Sequence, residues 1–178
     1  MAMKALLLDR DGVVNVDHGY VGEVERFAFV DGIFDLTRRA VDRGYRVAVI
    51  TNQAGIARGY YTEADFQVLT RWMVEAFERR GIPIAAVFYC PYHGIGSVAA
   101  YARESFWRKP NPGMILEAQR RFDLDLARSV FVGDQPTDMA AARAAGVGIR
   151  VLLAHGATAP VSDANRTVTS LDEVEDLL

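Results

Sequence analysis

The chain has 178 residues, of which 51% are hydrophobic and 24% charged, and its formal net charge is −3. This length predicts a single domain, residues 1–178, with a core large enough to be stable without disulfides or structural metals. The one cysteine excludes an intrachain disulfide. The lack of a basic tract argues against a nucleic-acid partner, and the lack of a long apolar run argues against a signal peptide or a membrane partner, so we expect a cytoplasmic protein.

Short apolar runs typical of buried strands alternate with helix-period segments. In chain order, we predict a strand at Lys4–Leu8, a helix at Gly32–Arg43, a strand at Arg46–Ile50, a helix at Thr62–Arg80, a strand at Ala85–Tyr89, a helix at Pro112–Phe122, a strand at Ser129–Val132, a helix at Pro136–Ala145, a strand at Gly148–Leu153, a short strand near Thr167–Val168 and a last helix at Leu171–Leu178. This alternation predicts an α/β fold, a Rossmann-like parallel sheet with helices on both faces in three layers. The irregular stretch Cys90–Asn111 is too long for a plain connection and is interpreted as a functional loop.

Polar residues follow three of the predicted strands at the point where each strand ends. These residues are Asp9, Thr51 and Asp134. Ligands of open parallel sheets bind beyond the carboxyl ends of the strands, so we expect the three side chains to converge at one edge of the sheet.

Two carboxylates stand two residues apart in Asp9-Arg10-Asp11-Gly12. One can bind a metal ion and attack phosphorus, while the other moves a proton to and from the leaving oxygen. A divalent cation is needed between a carboxylate and a phosphate because their charges repel. Taken alone, the same stretch is also compatible with an ordinary turn.

A second acidic pair lies in Gly133-Asp134-Gln135-Pro136-Thr137-Asp138. Asp134 could complete an oxygen-rich magnesium site with Asp9 and the backbone carbonyl of Asp11. For Asp138, two interpretations stay open: it orders the site or contacts a metal-bound water, or it only supports the positive end of a helix dipole.

Two further segments offer groups that can bind phosphate. Thr51 is followed by small residues that present backbone N–H groups, an arrangement that suits a phosphoryl oxygen. Lys109 stands before a helix N-terminus, where an anion is favoured, and Arg108 could bind a second anionic group.

The joint order of Asp-x-Asp, Thr, Lys-Pro and Gly-Asp-x-x-x-Asp resembles the haloacid dehalogenase superfamily over nearly the whole chain. The resemblance implies that Asp9 is the nucleophile and Asp11 the acid and base. It also implies that Thr51 and Lys109 hold the phosphoryl group, and that Asp134 binds magnesium. Because the dehalogenase branch lacks the second aspartate, Asp11 favours phosphoryl transfer.

Longer segments, among them Asp17-His18-Gly19-Tyr20-Val21 and Thr51-Asn52-Gln53-Ala54-Gly55, resemble the D-glycero-D-manno-heptose 1,7-bisphosphate 7-phosphatase family and the related histidinol-phosphatase domain. The resemblance implies a small monomeric enzyme without a large cap, and it implies that Arg108 recognises the distal phosphate of a sugar bisphosphate. The substrate-binding residues implied in this way are Arg10, Asp17, His18, Gly19, Tyr20, Thr51, Asn52, Gln53, Ala54, Arg108, Lys109 and Gln135.

The chain departs from that family in the loop before Arg108, where members usually carry a structural zinc. The pattern Cys-x-His followed by Cys-x-Cys keeps only Cys90; Tyr92, Ser105 and Trp107 stand at the other positions, and His93 is one residue out of register. Zinc in a closed site needs about four ligands, so we predict no structural zinc. We expect apolar packing to hold the loop instead, through the aromatic residues Tyr101, Phe106 and Trp107. A second departure is Gln135, where many relatives carry a lysine.

Together, the residues and the resemblance predict a magnesium-dependent phosphatase. We expect it to remove the 7-phosphate of D-glycero-D-manno-heptose 1,7-bisphosphate through an aspartyl-phosphate, in nucleotide-activated heptose biosynthesis. A phosphatase for histidinol phosphate or another sugar phosphate is the alternative on the same scaffold. A non-catalytic phosphosugar-binding protein is the alternative of a different class.

Overall fold

The computed structural model describes residues 2–156 and 158–178. Its strands are β1 (Ala5–Leu8), β2 (Arg46–Asn52), β3 (Ile84–Cys90), β4 (Val130–Gly133), β5 (Ile149–Leu153) and β6 (Arg166–Val168). Its helices are α1 (Ile33–Asp42), α2 (Ala54–Ala57), α3 (Glu63–Glu78), α4 (Gly113–Phe122), α5 (Pro136–Ala145) and α6 (Asp172–Glu175). The six strands form one sheet in the order β3-β2-β1-β4-β5-β6, and every neighbouring pair is parallel.

The central strand β1 explains why helices must cover both faces of the sheet. All four of its residues are fully buried, and alternate side chains point to opposite faces. Leu6 and Leu8 pack in one core cluster with residues of α1 and α3, whereas Ala5 and Leu7 pack in the other with residues of α4 and α5. The predicted three-layer α/β fold is therefore confirmed, and the described residues contain no large cap.

The predicted elements agree with the structure except at α2 and α6. α2 was not predicted because one turn of four residues is too short to show a 3.6-residue period. α6 covers four residues rather than the predicted Leu171–Leu178, and Val174 is its one fully buried side chain. Its first turn carries Asp172, Glu173 and Glu175, so packing on one apolar residue supports little helix beyond that turn.

The segment between β3 and α4 contains neither helix nor strand, as the loop prediction requires. The expected apolar packing of its aromatic residues is wrong for two of the three. Phe106 is 60% exposed and Trp107 39% exposed, so neither side chain anchors the loop in the core. Tyr101 is held by its hydroxyl, which donates a 2.7 Å hydrogen bond to Glu63 Oε2.

No helix in the described part of the chain combines the length and the apolar character that crossing a bilayer requires.

Candidate active site

Asp9 lies directly after β1, at the middle of the sheet. Its backbone N–H donates to the carbonyl of Val132 in β4, which holds the residue at the carboxyl edge of both strands. Asp9 is buried, and its Oδ1 accepts hydrogen bonds from the Arg10 N–H at 2.8 Å and from Lys109 Nζ at 2.9 Å. Because β1 lies between β2 and β4, the ends of these three strands meet at Asp9.

The buried ammonium group of Lys109 joins three parts of the fold. Besides Asp9, it contacts Asp138 Oδ1 at 2.6 Å and the carbonyl oxygen of Ile50 at 2.9 Å. An ammonium group has three N–H donors, so these three acceptors satisfy it completely. Burial alone would lower the pKa of Lys109, but the Asp138 and Asp9 carboxylates outweigh burial and raise it. Lys109 is therefore a fixed positive charge beside Asp9.

Asp138 supports the start of α5, and it also orders the site, so the helix is not its sole role. Its Oδ2 accepts the backbone N–H groups of Gln135, at 3.0 Å, and of Asp134, at 3.2 Å, which caps the start of α5. Its Oδ1 pairs with Lys109. Both oxygens are thus engaged within the protein, and the residue orders the site by fixing Lys109 and the turn that carries Asp134.

Asp134 is the carboxylate with an oxygen left for a cation. Its Oδ1 is buried without a hydrogen-bond partner among the described residues, and one oxygen each of Asp9, Asp134 and Asp138 lie within 4.8 Å of one another. Gly12 makes this approach possible, since a Cβ atom there would overlap the Asp134 carboxylate. An orphaned carboxylate oxygen in an all-oxygen cluster fits a hard divalent cation such as magnesium.

The crowding of acidic groups is visible in their pKa values. Burial raises the pKa of Asp134 to about 6, and the neighbouring Asp138 carboxylate adds to the effect. Burial, Asp138 and Asp134 also raise the pKa of Asp9, against the opposing charge of Lys109. A bound cation would remove this penalty, because it favours the ionised form of each carboxylate around it.

Asp11 is held by three donors from three directions. Arg10 Nη2 and Asn15 Nδ2 donate to its Oδ1, at 2.7 and 3.1 Å, and Gln53 Nε2 donates to its Oδ2 at 3.1 Å. The side chain is 22% exposed, so it is fixed in direction yet accessible from the cleft. A carboxylate that is accessible from the cleft and fixed in orientation can exchange a proton with a bound molecule.

The last residues of β2 and the residue after it support the site. Asn52 clamps the backbone of Lys109, donating to its carbonyl and accepting its N–H, each at 3.0 Å. Gln53 donates to Thr51 Oγ1 at 2.9 Å as well as to Asp11, and it accepts a 2.6 Å hydrogen bond from the Tyr61 hydroxyl. The segment thus positions Lys109 and Asp11 together.

A cleft of about 460 Å³ opens above these groups. Most of the predicted site residues line it, and Arg108 in this lining is half-buried. The predicted residues in the lining are Asp9, Asp11, Asp17, Gly19, Tyr20, Asn52, Ala54, Arg108, Lys109, Asp134 and Gln135.

Four predicted residues lie elsewhere. Thr51 and Gln53 are buried beneath the lining, and the His18 side chain is exposed in its loop. Arg10 is 1% exposed, with Nη2 donating to Asp11 and to the carbonyl of Val21 at 2.6 Å. The guanidinium also lies 5.9 Å and 5.8 Å from the ring centres of Phe27 and Phe66, so it supports Asp11 from within the core.

Sequence reasoning missed three residues at the site. Tyr61 and Thr137 line the cleft, and His155 Nε2 bonds the Gly12 carbonyl oxygen at 2.7 Å. His155 follows β5 by two residues, so its position after a strand end was the available signal. Nothing in the local sequence of Tyr61 marks it, because its contact with Gln53 depends on the path of the chain after α2.

Comparisons with known proteins identify relatives of the chain. A family model described as HAD-hydrolase-like matches residues 106–177. A Burkholderia mallei protein named D-glycero-alpha-D-manno-heptose-1,7-bisphosphate 7-phosphatase is 49% identical over 98% of this chain and 89% of its own length. A Yersinia pestis protein named D-glycero-beta-D-manno-heptose-1,7-bisphosphate 7-phosphatase is 46% identical over 87% of this chain and 82% of its own length.

A solved structure extends the likeness to three dimensions. The D,D-heptose 1,7-bisphosphate phosphatase of B. bronchiseptica, complexed with magnesium and phosphate, superposes with a TM-score of 0.80 at 32% identity. The match covers 98% of this chain and 97% of that one.

The metal-free protein should be more stable without the Asp134 charge. The raised pKa means that the folded state binds a proton more tightly than the unfolded state, so Asp134 destabilises the fold increasingly as pH rises from about 4 to about 6. Urea unfolding in EDTA at pH 7.5 should show Asp134→Asn more stable than wild type by about 1–3 kcal/mol, with no difference below about pH 4. Magnesium should stabilise wild type and not the variant.

The matched control is Asp176→Asn, which removes an exposed carboxylate outside the cleft. It should leave the free energy of unfolding unchanged, both in EDTA and with magnesium. A loss of stability in Asp134→Asn at pH 7.5 in EDTA would contradict the repulsive acidic cluster.

Proposed function

Since the chain belongs to the D-glycero-D-manno-heptose 1,7-bisphosphate 7-phosphatase family of HAD-like phosphoric monoester hydrolases, we propose that it removes the 7-phosphate of that sugar bisphosphate with the help of magnesium. The observation that carries the proposal is the pairing of a buried carboxylate and a buried ammonium, Asp9 and Lys109, beside the orphaned oxygen of Asp134. The reaction would serve nucleotide-activated heptose biosynthesis.

Asp9, Asp134 and the backbone carbonyl of Asp11 are the groups that would hold the magnesium ion. When bound, the ion offsets the repulsion between the Asp9 carboxylate and the phosphate dianion. The unpartnered Oδ1 of Asp134 and the use of only Oδ1 in the hydrogen bonds of Asp9 leave one oxygen on each side chain for this purpose.

The first step transfers the phosphoryl group to Asp9. A carboxylate oxygen of Asp9 attacks phosphorus, and the bond between phosphorus and the sugar oxygen breaks on the opposite side. Asp11 donates its proton to that leaving oxygen, so the sugar departs as a neutral alcohol. Its three hydrogen bonds to Arg10, Asn15 and Gln53 hold Asp11 in one direction while this happens.

The second step returns the enzyme to its starting state. Asp11, now ionised, takes a proton from a water molecule as that water attacks phosphorus. The bond between phosphorus and Asp9 breaks, and inorganic phosphate leaves with one oxygen from water. The same carboxyl group therefore serves as acid and then as base, which the accessible, well-held side chain permits.

The phosphoryl group needs a positive charge beside it in both steps. The Lys109 ammonium lies 2.9 Å from Asp9 Oδ1 and is fixed there by Asp138, so it needs no rearrangement as negative charge spreads over the phosphoryl oxygens. Thr51 supports the same oxygens in our proposal through its place directly beneath the cleft at the end of β2.

Selectivity for a bisphosphate rests on Arg108 in this proposal. Arg108 is a half-buried cation in the lining of the cleft, and burial lowers its pKa, which marks a guanidinium without full compensation. Asp17, Gly19 and Tyr20 line the same cleft and would contact the sugar. Gln135 bonds Asp134 Oδ2 at 3.2 Å and offers an amide where relatives offer a charge. We also propose that the enzyme is monomeric and cytoplasmic.

Loss of the Asp9 nucleophile should abolish turnover. Asp9→Asn keeps the volume and the hydrogen bond from Arg10 but removes the attacking charge, so kcat for heptose 1,7-bisphosphate should fall more than about a thousandfold. The assay measures released phosphate with magnesium, and Asp31→Asn, at an exposed position, is the control. Substantial magnesium-dependent turnover by Asp9→Asn would refute the proposed chemistry.

Loss of the Arg108 guanidinium should lower the hydrolysis of the bisphosphate but not that of a monophosphate. Arg108→Ala should lower kcat/KM for either anomer of heptose 1,7-bisphosphate by about a hundredfold, because a charge-assisted contact to the second phosphate disappears. Hydrolysis of p-nitrophenyl phosphate, which has one phosphate, should stay within about threefold of wild type.

Arg79→Ala, at the exposed residue directly after α3, is the matched control for the loss of a guanidinium. Histidinol phosphate should be a poor substrate of wild type. If it is hydrolysed better than both bisphosphates, the alternative phosphatase assignment is correct.

We also propose that residues 90–107 hold no structural zinc. Burial raises the pKa of the Cys90 thiol, which disfavours the thiolate that zinc needs, and His93 Nδ1 accepts the N–H of Ile95 at 3.2 Å. Metal analysis of protein purified without chelator should find less than about 0.1 zinc per chain, since structural sites need four ligands. About one zinc per chain would contradict this proposal.

A further inference from the structure

Arg108 depends for its position on the backbone that carries it. The one described hydrogen bond of its side chain runs from Nη1 to the carbonyl oxygen of Tyr92 at 3.5 Å, the outer limit of such a contact. Residues 91–112 contain no helix or strand. Asn52 holds the loop at Lys109, but the backbone at Tyr92 needs an anchor of its own if its carbonyl is to hold the guanidinium at one place in the cleft.

The anchor is the carboxylate of Glu63 in the first turn of α3. Its Oε1 accepts the Tyr89 hydroxyl at 2.5 Å, and its Oε2 accepts the Tyr101 hydroxyl at 2.7 Å. One carboxylate therefore joins the end of β3 to the middle of the loop, and each bond is a charge-assisted one.

Glu63 and Tyr89 form a rigid platform for this bond. α3 begins with a reciprocal capping box between Thr62 and Asp65, which fixes the backbone at Glu63. Gln67 Nε2 donates to the Tyr89 hydroxyl at 2.9 Å, and the Tyr89 ring packs 4.5 Å from the ring of Phe66. Burial and the bond to Glu63 raise the pKa of Tyr89 to about 12, so the phenol stays a donor.

Tyr101 restrains the loop on both sides of its own position in the sequence. Its carbonyl oxygen accepts the N–H groups of His93, at 3.1 Å, and Arg103, at 2.9 Å. The Arg103 guanidinium stacks 3.9 Å over the ring of Tyr92, the residue whose carbonyl meets Arg108. A continuous set of contacts thus runs from Glu63 through Tyr101 and Tyr92 to Arg108.

We propose that Glu63 and Tyr101 are positioning residues for substrate selection: their hydrogen bond fixes the loop so that Arg108 meets the second phosphate of a bisphosphate. This inference rests on the proposed function, because it assigns the restraint to the recognition of that second phosphate. Neither residue touches the reacting phosphoryl group, so the bond acts on binding of the distal group and not on the chemical step.

Tyr101→Phe tests the bond because it removes one oxygen and keeps the ring. The KM for heptose 1,7-bisphosphate should rise about three- to tenfold, because only part of the free energy of the charged hydrogen bond affects the position of Arg108. Its kcat should change less than about twofold. Both constants for p-nitrophenyl phosphate should stay within about twofold of wild type. Glu63→Gln, which keeps the shape but loses the charge, should show the same split.

A double-mutant cycle separates positioning from general stability. In an Arg108→Ala background, Tyr101→Phe should cause no further rise in KM, because the group it positions is gone. Tyr45→Phe is the matched control: this tyrosine precedes β2 at the opposite edge of the sheet, and its hydroxyl has no described hydrogen bond. It should leave every constant unchanged.

Hydrogen exchange tests the anchor without any substrate. In Tyr101→Phe, the amide hydrogens of His93 and Arg103 should exchange at least about tenfold faster than in wild type, while those of β1 keep their protection. Unchanged exchange would overturn the anchor, and an equal rise in KM with and without Arg108 would overturn its role in positioning. If wild type fails to hydrolyse the bisphosphate while the exchange result holds, the proposed function and the positioning role fail and only the anchor remains.

Discussion

A buried ammonium group holds the candidate active site of this protein together. Lys109 Nζ reaches Asp9 at the end of β1, the Ile50 carbonyl in β2 and Asp138 in the first turn of α5. A charge buried to this degree is tolerable only when its donors are satisfied, so the three acceptors must stay where they are. Strand ends, helix start and loop are thereby fixed relative to one another, and Asp9 gains a permanent positive neighbour.

The same arrangement concentrates negative charge in a way that the fold alone does not favour. Asp9, Asp134 and Asp138 converge within 4.8 Å, and one ammonium group cannot balance three carboxylates. Asp138 is committed to Lys109 and to the cap of α5, which leaves Asp134 as the uncompensated member. A site that is costly without a cation and relieved by one binds that cation strongly, which is how such a centre couples stability to function.

Much of this site follows from the sequence because it depends on strand ends. Asp9, Thr51 and Asp134 each follow an apolar run, and parallel topology brings such positions to one edge. The role of Asp138 was left open, since a carboxylate at the third position of a helix looks the same whether or not a lysine from a distant loop reaches it.

Other features depend on contacts that no local pattern records. The burial of Arg10 and the approach of His155 to Gly12 join segments far apart in sequence, and the bond from Tyr61 to Gln53 closes over the short helix α2. The anchoring of the loop by Glu63 is of the same kind. The aromatic residues of the loop suggested apolar packing, whereas the structure uses the hydroxyl of one of them and leaves Phe106 and Trp107 exposed.

The central claim, that Asp9 is the nucleophile, is tested most directly by a burst experiment on Asp11→Asn with p-nitrophenyl phosphate and magnesium. Nitrophenolate leaves without an acid, so this variant should still phosphorylate Asp9 but lack the base that hydrolyses the product. We expect the release of about one nitrophenolate per chain in the first turnover. After acid quenching, the peptide that contains Asp9 should carry a phosphoryl group. Release without a burst and with no phosphorylated peptide, or a phosphoryl group on another residue, would contradict it.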